Sequence, residues 1–296
     1  LAEGLHFHHN NFLGIPPEFS SPKSPFVILP VGYDSTTSYK AGTREGPSTI
    51  LAASRQVETY DEELGFEPFE AGIYTHPSLE ISTRGPKEMV ERVYQAVLPM
   101  ARKKKKVVML GGEHSLTFGA VRAYKQVYKN LSVLQIDAHA DLRDSFEDSP
   151  YNHACVMRRI SEICPTVGVG IRNYSIDEAK FIKAKKIPVV SASSFISGET
   201  SIDEIIDRLT DTVYLTFDLD GFDPSFMPAV GTPEPGGLGW YETLKLLRFL
   251  AERKRVVGFD VMELCPLPGQ ISSDFIAAKL VYKSIGYLVA AAKRTA

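Results

Sequence analysis

The sequence predicts an α/β fold in which a parallel sheet is covered by helices on both faces. Short runs rich in β-branched residues recur along the chain, and amphipathic stretches of helical period lie between them. No internal repeat, low-complexity segment or long linker breaks this alternation, so the economical reading is one domain, residues 1–296, with 1–24 as an N-terminal arm.

The strand runs are Phe26–Val31, Val107–Leu110, Ser132–Ile136, Thr166–Ile171, Ile187–Val190, Val213–Phe217 and Val256–Val261. Each is short and nearly continuous in apolar character, as strands buried on both faces are. The helical stretches are Pro86–Arg102, Leu116–Tyr128, Ile176–Ala184, Ile202–Leu209, Tyr241–Glu252 and Ser273–Ala292. Lys103–Lys106 closes the first of these with a basic run, which suits a solvated helix C-terminus facing the macrodipole.

Bulk properties narrow the function. A hydrophobic fraction of 44% with 23% charged residues is ordinary for a globular chain. The net charge of -3 and pI near 6.2 provide no basic field, so no nucleic-acid partner is expected. Cys155, Cys164 and Cys265 are odd in number and lack zinc spacing, which fits packed thiols in a reducing compartment. The sequence shows no run of about 18 apolar residues, and Leu1–Phe12 lacks the order of a secretion signal. The expectation is a cytoplasmic protein without a membrane partner that acts on a small molecule.

Ligands of parallel α/β sheets gather beyond the carboxyl ends of the strands, and three strand ends here carry chemistry. After Val107–Leu110 come Gly111-Gly112-Glu113-His114-Ser115, a tight turn that sets an imidazole where the next helix begins. After Ser132–Ile136 come Asp137, His139 and Asp141, ligand-type residues at alternate positions of an extended segment. After Val213–Phe217 come Asp218 and Asp220, again two apart.

His114, Asp137, His139, Asp141, Asp218 and Asp220 form a mixed oxygen and nitrogen set without thiolate, better suited to manganese than to zinc. Four aspartates brought together repel one another and protonate unless about four positive charges sit among them. A pair of divalent cations supplies that charge. Taken singly, each aspartate also reads as a turn or helix cap, and His114 alone reads better as a satisfied core histidine than as a ligand. His6, His8, His9 and His76 read as surface histidines. Gly168-Val169-Gly170 falls in the Thr166–Ile171 run, but Asn173 stands where a dinucleotide fingerprint needs its third glycine, so that function is excluded.

With these residues in view, the chain resembles the ureohydrolase family, which includes arginase and agmatinase. The motifs that carry the resemblance are Gly32-Tyr33-Asp34, Gly42–Pro47, Gly111–Ser115, Asp137–Asp141, Asp218–Pro224, Gly231-Thr232-Pro233-Glu234 and Met262-Glu263. The resemblance implies a three-layer αβα sandwich with a mainly parallel eight-stranded sheet and two Mn2+ per chain, with Co2+ or Ni2+ as alternatives. It implies that His114, Asp137, Asp141 and Asp218 hold one ion, and that His139, Asp137, Asp218 and Asp220 hold the other. It also implies a homotrimer or homohexamer, His153 as the substrate-side histidine and Glu263 as the carboxylate facing the guanidinium.

The chemistry of the residue types agrees. A guanidinium carbon is a poor electrophile, so its hydrolysis needs a hydroxide available at neutral pH, which a metal pair provides. Glu263 offers a planar carboxylate to a planar guanidinium, Asp141 a hydrogen-bond acceptor beside the nucleophile, and His153 a proton for the departing amine. Read without the resemblance, Glu263 is equally a surface carboxylate and His153 equally a helix cap.

Leu142-Arg143 follows Asp141, where arginases typically carry an asparagine two residues on that reads an α-carboxylate. The expected reaction is therefore conversion of agmatine to putrescine and urea, a step of polyamine synthesis. Aminopropylagmatine, guanidinobutyrate, guanidine and arginine are the alternative substrates. The acidic residues Asp144, Glu147 and Asp148 next to this motif read either as an attractor for an ammonium tail or as a solvated surface. A metal-dependent deacylase and a non-catalytic regulatory partner are the readings from other classes.

Overall fold

The computed structural model describes residues 9–295. Eight strands, β1 (Phe26–Val31), β2 (Ile73–Thr75), β3 (Lys106–Gly111), β4 (Leu131–Ile136), β5 (Thr166–Ile171), β6 (Val189–Ser191), β7 (Thr212–Asp218) and β8 (Arg255–Met262), form one sheet. Its order is β2-β1-β3-β8-β7-β4-β5-β6, and every pairing is parallel. The helices are α1 (Gly46–Ser54), α2 (Pro86–Arg102), α3 (Thr117–Val127), α4 (Val156–Ser161), α5 (Ile176–Lys185), α6 (Ala192–Ile196), α7 (Ile202–Asp207), α8 (Trp240–Arg253) and α9 (Ser272–Thr295).

Period-two alternation divides the sheet between two apolar layers. Ile28, Val108, Leu134 and Val169 point into a core shared with α1, α7, α8 and α9, whereas Leu29, Val31, Met109 and Val133 point into a core shared with α2, α3 and α4. Both faces are therefore apolar, which explains why the strands read as continuous hydrophobic runs and fixes the three-layer αβα arrangement. By length and composition α9 could cross a bilayer, more apolar than the sequence reading allowed; instead Ala277, Leu280, Val281 and Ile285 are buried in the first core.

Three departures from the expected elements have physical causes. The sequence marks seven strand runs; the eighth strand, β2, has only three residues and pairs on one side, with β1. Ile187 and Pro188 were expected in β6, but Lys186 ends α5 in the left-handed conformation and the Ile187 amide bonds back to the Ile182 carbonyl. The strand therefore begins at Val189. The segment 1–24, expected as an arm, is held to the body from Phe12 onward: Phe12 is fully buried, Leu13 and Ile15 join the core, and the Leu13 amide donates to Ser54 Oγ. His6 and His8 lie outside the described residues.

β3 and β4 are consecutive in sequence but separated in the sheet by β8 and β7. Chains leaving their carboxyl ends diverge, which opens a crevice there. The four adjacent strands β3, β8, β7 and β4 point their carboxyl ends at it.

Candidate metal centre and active-site pocket

His114 sits directly beyond β3, in a short 3-10 turn, His114–Leu116, that leads into α3. The turn depends on Gly112, where a Cβ would lie 1.9 Å from the Tyr33 carbonyl oxygen. No other residue type fits that approach. Beyond β4, Asp137 accepts the His139 amide at 2.6 Å and the Gln135 side-chain amide at 2.9 Å. At the end of β7, Asp218 accepts the Asp220 amide at 2.9 Å, and Asp220 accepts the Ala138 amide at 3.0 Å. These short turns spend one oxygen of each aspartate on backbone and leave the others facing inward.

The structure brings all six predicted ligand residues together. His114 Nδ1 stands 3.2 Å from Asp137 Oδ2, 3.1 Å from Asp141 Oδ2 and 3.2 Å from Asp218 Oδ2. His139 Nδ1 stands 2.9 Å from Asp220 Oδ2 and 3.7 Å from Asp137 Oδ1. Two groups of closely spaced donor atoms result, His114 with Asp137 and Asp218, and His139 with Asp137 and Asp220, joined through Asp137. Asp141 reaches the first group from a left-handed backbone conformation, φ 52°, which aspartate tolerates better than most residues. The exposed His76 is in neither group.

The cluster demands positive charge. Burial, followed by repulsion from Asp141 and Asp220, pushes the Asp137 carboxyl up to about 7. Burial and the neighbouring Asp220 and Asp137 likewise hold Asp218 well above the usual range. Burial opposes charge on both imidazoles, but it is outweighed: Asp137, Asp141 and Asp218 raise His114 well above its ordinary value, and Asp220 foremost raises His139 to about 11. Protons gather wherever cations do not supply the charge.

A specific orphan atom fits a metal. Buried His114 Nδ1 makes no hydrogen bond, whereas Nε2 lies 2.7 Å from Thr216 Oγ1. Thr216 in turn donates to buried Asp260 at 2.6 Å, so its oxygen is left to accept the Nε2 proton. Nδ1 then presents its lone pair to the carboxylate oxygens, as a metal ligand must. Donor set, charge demand and tautomer all fit a pair of divalent cations.

A cavity of about 130 Å³ opens above this floor and is lined by His139, Asp141, Asp218, Asp220, His153 and Glu263, among others. Glu263 follows β8 with φ 67° and is only 7% exposed, so it is not the surface carboxylate that its position also allowed. Its Oε1 accepts the His114 amide at 2.6 Å. Burial, reinforced by nearby Glu113, holds its carboxyl well above the ordinary range despite that hydrogen bond. His153 is not a cap: Asn152 caps the turn, accepting the Ala154 amide at 3.0 Å, and the His153 ring faces Thr36 and Ser38.

At the mouth, Arg143 lies 4.6 Å over the Phe146 ring and 3.8 Å from Glu178. Asp144, one reading of which was an attractor for an ammonium tail, pairs instead with Arg159 at 2.6 Å and Arg158 at 3.5 Å. Its charge is already partnered.

Sequence reasoning missed the residues that hold this site in place. Arg172 spreads its guanidinium over the carbonyls of Gly170, Asp220, Gly221, Phe222, Glu234 and Pro235, tying the Asp220 turn to the Glu234 loop. Glu113, fully buried, accepts the Ser35 and Thr36 amides and the Thr36 and Ser115 hydroxyls. Gln135 and Asp260 carried a readable signal, since each is a polar side chain inside an apolar strand run.

This fold and site define a member of the arginase family, and the family's model matches residues 24–286. The chain is a ureohydrolase, a hydrolase of carbon–nitrogen bonds in amidino groups. Within the family it is similar to the N(1)-aminopropylagmatine ureohydrolase of Synechocystis sp., with 48% identity over 269 residues, 88% of each chain. It is 37% identical to the agmatinase of Pyrococcus horikoshii over 268 residues, 88% of this chain and 91% of that one. The crystal structure of the agmatine ureohydrolase of Thermoplasma volcanium superposes with a TM-score of 0.87 at 31% identity, covering 98% of both chains.

Proposed function

We propose that the chain hydrolyses a linear guanidino amine to urea and the free amine with the help of two manganese ions, and that N(1)-aminopropylagmatine is its preferred substrate. The carrying observation for the reaction is the joining of two His/Asp groups through Asp137 beneath a cavity that also holds Glu263 and His153. For the substrate, support comes from the 48% identity to the Synechocystis enzyme of that name. This moves the expectation away from agmatine, which stays as the second reading because of the agmatinase relative and the agmatine ureohydrolase fold match.

In this reading His114, Asp137, Asp141 and Asp218 hold one cation, and His139, Asp137, Asp218 and Asp220 the other. When bound, the cations neutralise the carboxylates and lower the pKa of water so that hydroxide is available near neutrality. Glu263 receives the guanidinium. Its buried carboxylate gains a cationic partner, which offsets the cost of ionising it there and sets the carbon above the metal floor. Asp141 accepts a hydrogen bond from the incoming oxygen. That oxygen bonds to the carbon and, as the bond to the alkyl nitrogen breaks, passes its remaining proton through Asp141 to the departing nitrogen, while His153 delivers the second proton that makes it an ammonium. Water and the guanidinium yield urea and an ammonium, with charge conserved.

Asp141 followed by Leu142-Arg143, in place of an arginase-like asparagine, supports an amine without an α-carboxylate. The same reading carries a place in polyamine synthesis, a cytoplasmic location and a symmetric trimer or hexamer. The test is release of urea and amine by the manganese-loaded chain from aminopropylagmatine, agmatine, guanidinobutyrate, guanidine and arginine. The highest kcat/KM is expected for aminopropylagmatine; arginine as the best substrate would overturn the reading of Arg143. A deacylase would release no urea from any of them.

A further inference from the structure

Hydrogen-bond donors around Thr36 are distributed in a way that decides which nitrogen of His153 faces substrate. Glu113 is fully buried and takes four donors, the Ser35 amide at 2.5 Å, the Thr36 amide at 2.6 Å, the Thr36 hydroxyl at 2.8 Å and the Ser115 hydroxyl at 2.5 Å. Both of its oxygens are occupied as acceptors. The single hydroxyl proton of Thr36 is thereby committed to Glu113.

Thr36 Oγ1 has only lone pairs left, and both of its remaining neighbours belong to His153. The His153 amide donates to it at 2.9 Å, and ring Nδ1 lies 3.3 Å away. The Nδ1 contact is attractive only if Nδ1 carries the proton. Nε2, which lies 3.5 Å from Ser38 Oγ on the cavity wall, is then the nitrogen that gains and loses a proton at the pocket.

We propose that Thr36, anchored by Glu113, is a positioning residue that holds His153 with its proton on Nδ1, so that Nε2 is the atom that exchanges a proton with the departing amine. The inference rests on the reading of His153 given above. It links the Gly111–Ser115 motif to the substrate side of the pocket as well as to the metal floor: Glu113 serves His153 through Thr36, while its neighbour His114 faces the carboxylates.

The test uses the full chain, labelled with 15N-histidine and loaded with a diamagnetic divalent ion. His153→Asn identifies the His153 resonances by their loss. With the ring neutral, Nδ1 is expected to be protonated in the wild type and in Thr36→Ser, while Thr36→Val, which keeps the shape but not the hydroxyl, shifts the proton to Nε2. In the manganese enzyme, Thr36→Val should lose about 10–100-fold in kcat, up to the lower end of what a positioned acid contributes, with KM and manganese affinity little changed. Thr36→Ser should retain most of the rate. A proton on Nε2 in the wild type, or a Thr36→Val spectrum like that of the wild type, would overturn the inference. Full kcat in His153→Asn with the tautomer as expected would support the orientation and overturn only the donor role.

Discussion

Thr216 donates to Asp260 at 2.6 Å and accepts from His114 Nε2 at 2.7 Å, so a carboxylate on β8 sets the tautomer of an imidazole beyond β3 through a hydroxyl on β7. Asp260 also accepts the Tyr214 and Thr117 hydroxyls at 2.8 and 2.9 Å, which holds it still. Outer-shell partners of this kind are commonly worth about 10–100-fold in metal affinity. Thr216→Val and Asp260→Asn are therefore expected to weaken Mn2+ binding by about that factor, measured by calorimetric titration, with the far-UV circular dichroism unchanged. Wild-type affinity in both variants would show that the tautomer needs no such support.

Glu263→Gln keeps the shape of the carboxylate and removes its charge. In the proposed reading the substrate guanidinium then loses its ionic partner, and misplacing a reacting carbon by about 1 Å costs on the order of 100-fold. Glu263→Gln should lower kcat/KM for the guanidino amine by about 100-fold while leaving Mn2+ affinity intact. An equal loss of metal would instead assign Glu263 to the metal floor.

Cation binding should stabilise the fold, since the four aspartates and two histidines converge only in the native state. Stripping metal with a chelator should lower the melting temperature, and Mn2+ at 100 times its Kd should restore about 2.7 kcal/mol per independent site. Differential scanning fluorimetry against Mn2+ concentration reads this directly, and a melting temperature indifferent to chelator and metal would contradict it.

Much of this arrangement was legible in the sequence because its signals are local. Asp137, His139 and Asp141 alternate beyond one apolar run, and Asp218 and Asp220 repeat the spacing beyond another, so strand geometry alone aims them the same way. The supports were not legible. Asp260 meets Thr216 because β8 lies beside β7, and Glu113 meets Thr36 because β3 lies beside β1, relations set by strand order rather than spacing. β2 was missed for its length, and the packing of Phe12 and Leu13 because their hydrogen-bond partners, Thr75 of β2 and Ser54 of α1, lie far along the chain.

Away from the pocket, Lys283 is 2% exposed and bonds Asp61 at 3.0 Å and Glu63 at 2.7 Å. Removing the cation strands a fully buried aspartate, so Lys283→Met should cost about 3 kcal/mol in urea unfolding. Burial pushes the Glu63 carboxyl up, but Lys283 and Tyr287 outweigh it and hold it below its usual range. A depressed carboxyl stabilises the fold fully above its unfolded value, near pH 4.3, and that contribution fades as pH falls through the folded value. Stability of Glu63→Gln should therefore fall less steeply than that of the wild type on acidification below about pH 5. Parallel acid limbs for the two proteins would rule this out.

The most direct measurement is a calorimetric titration of metal-free protein with Mn2+. The convergence of His114, His139, Asp137, Asp141, Asp218 and Asp220 requires two equivalents per chain, with the second lost in His139→Ala and both strongly weakened in Asp137→Ala. One equivalent or none in the wild type, or two that survive Asp137→Ala, would contradict a paired metal centre at this site.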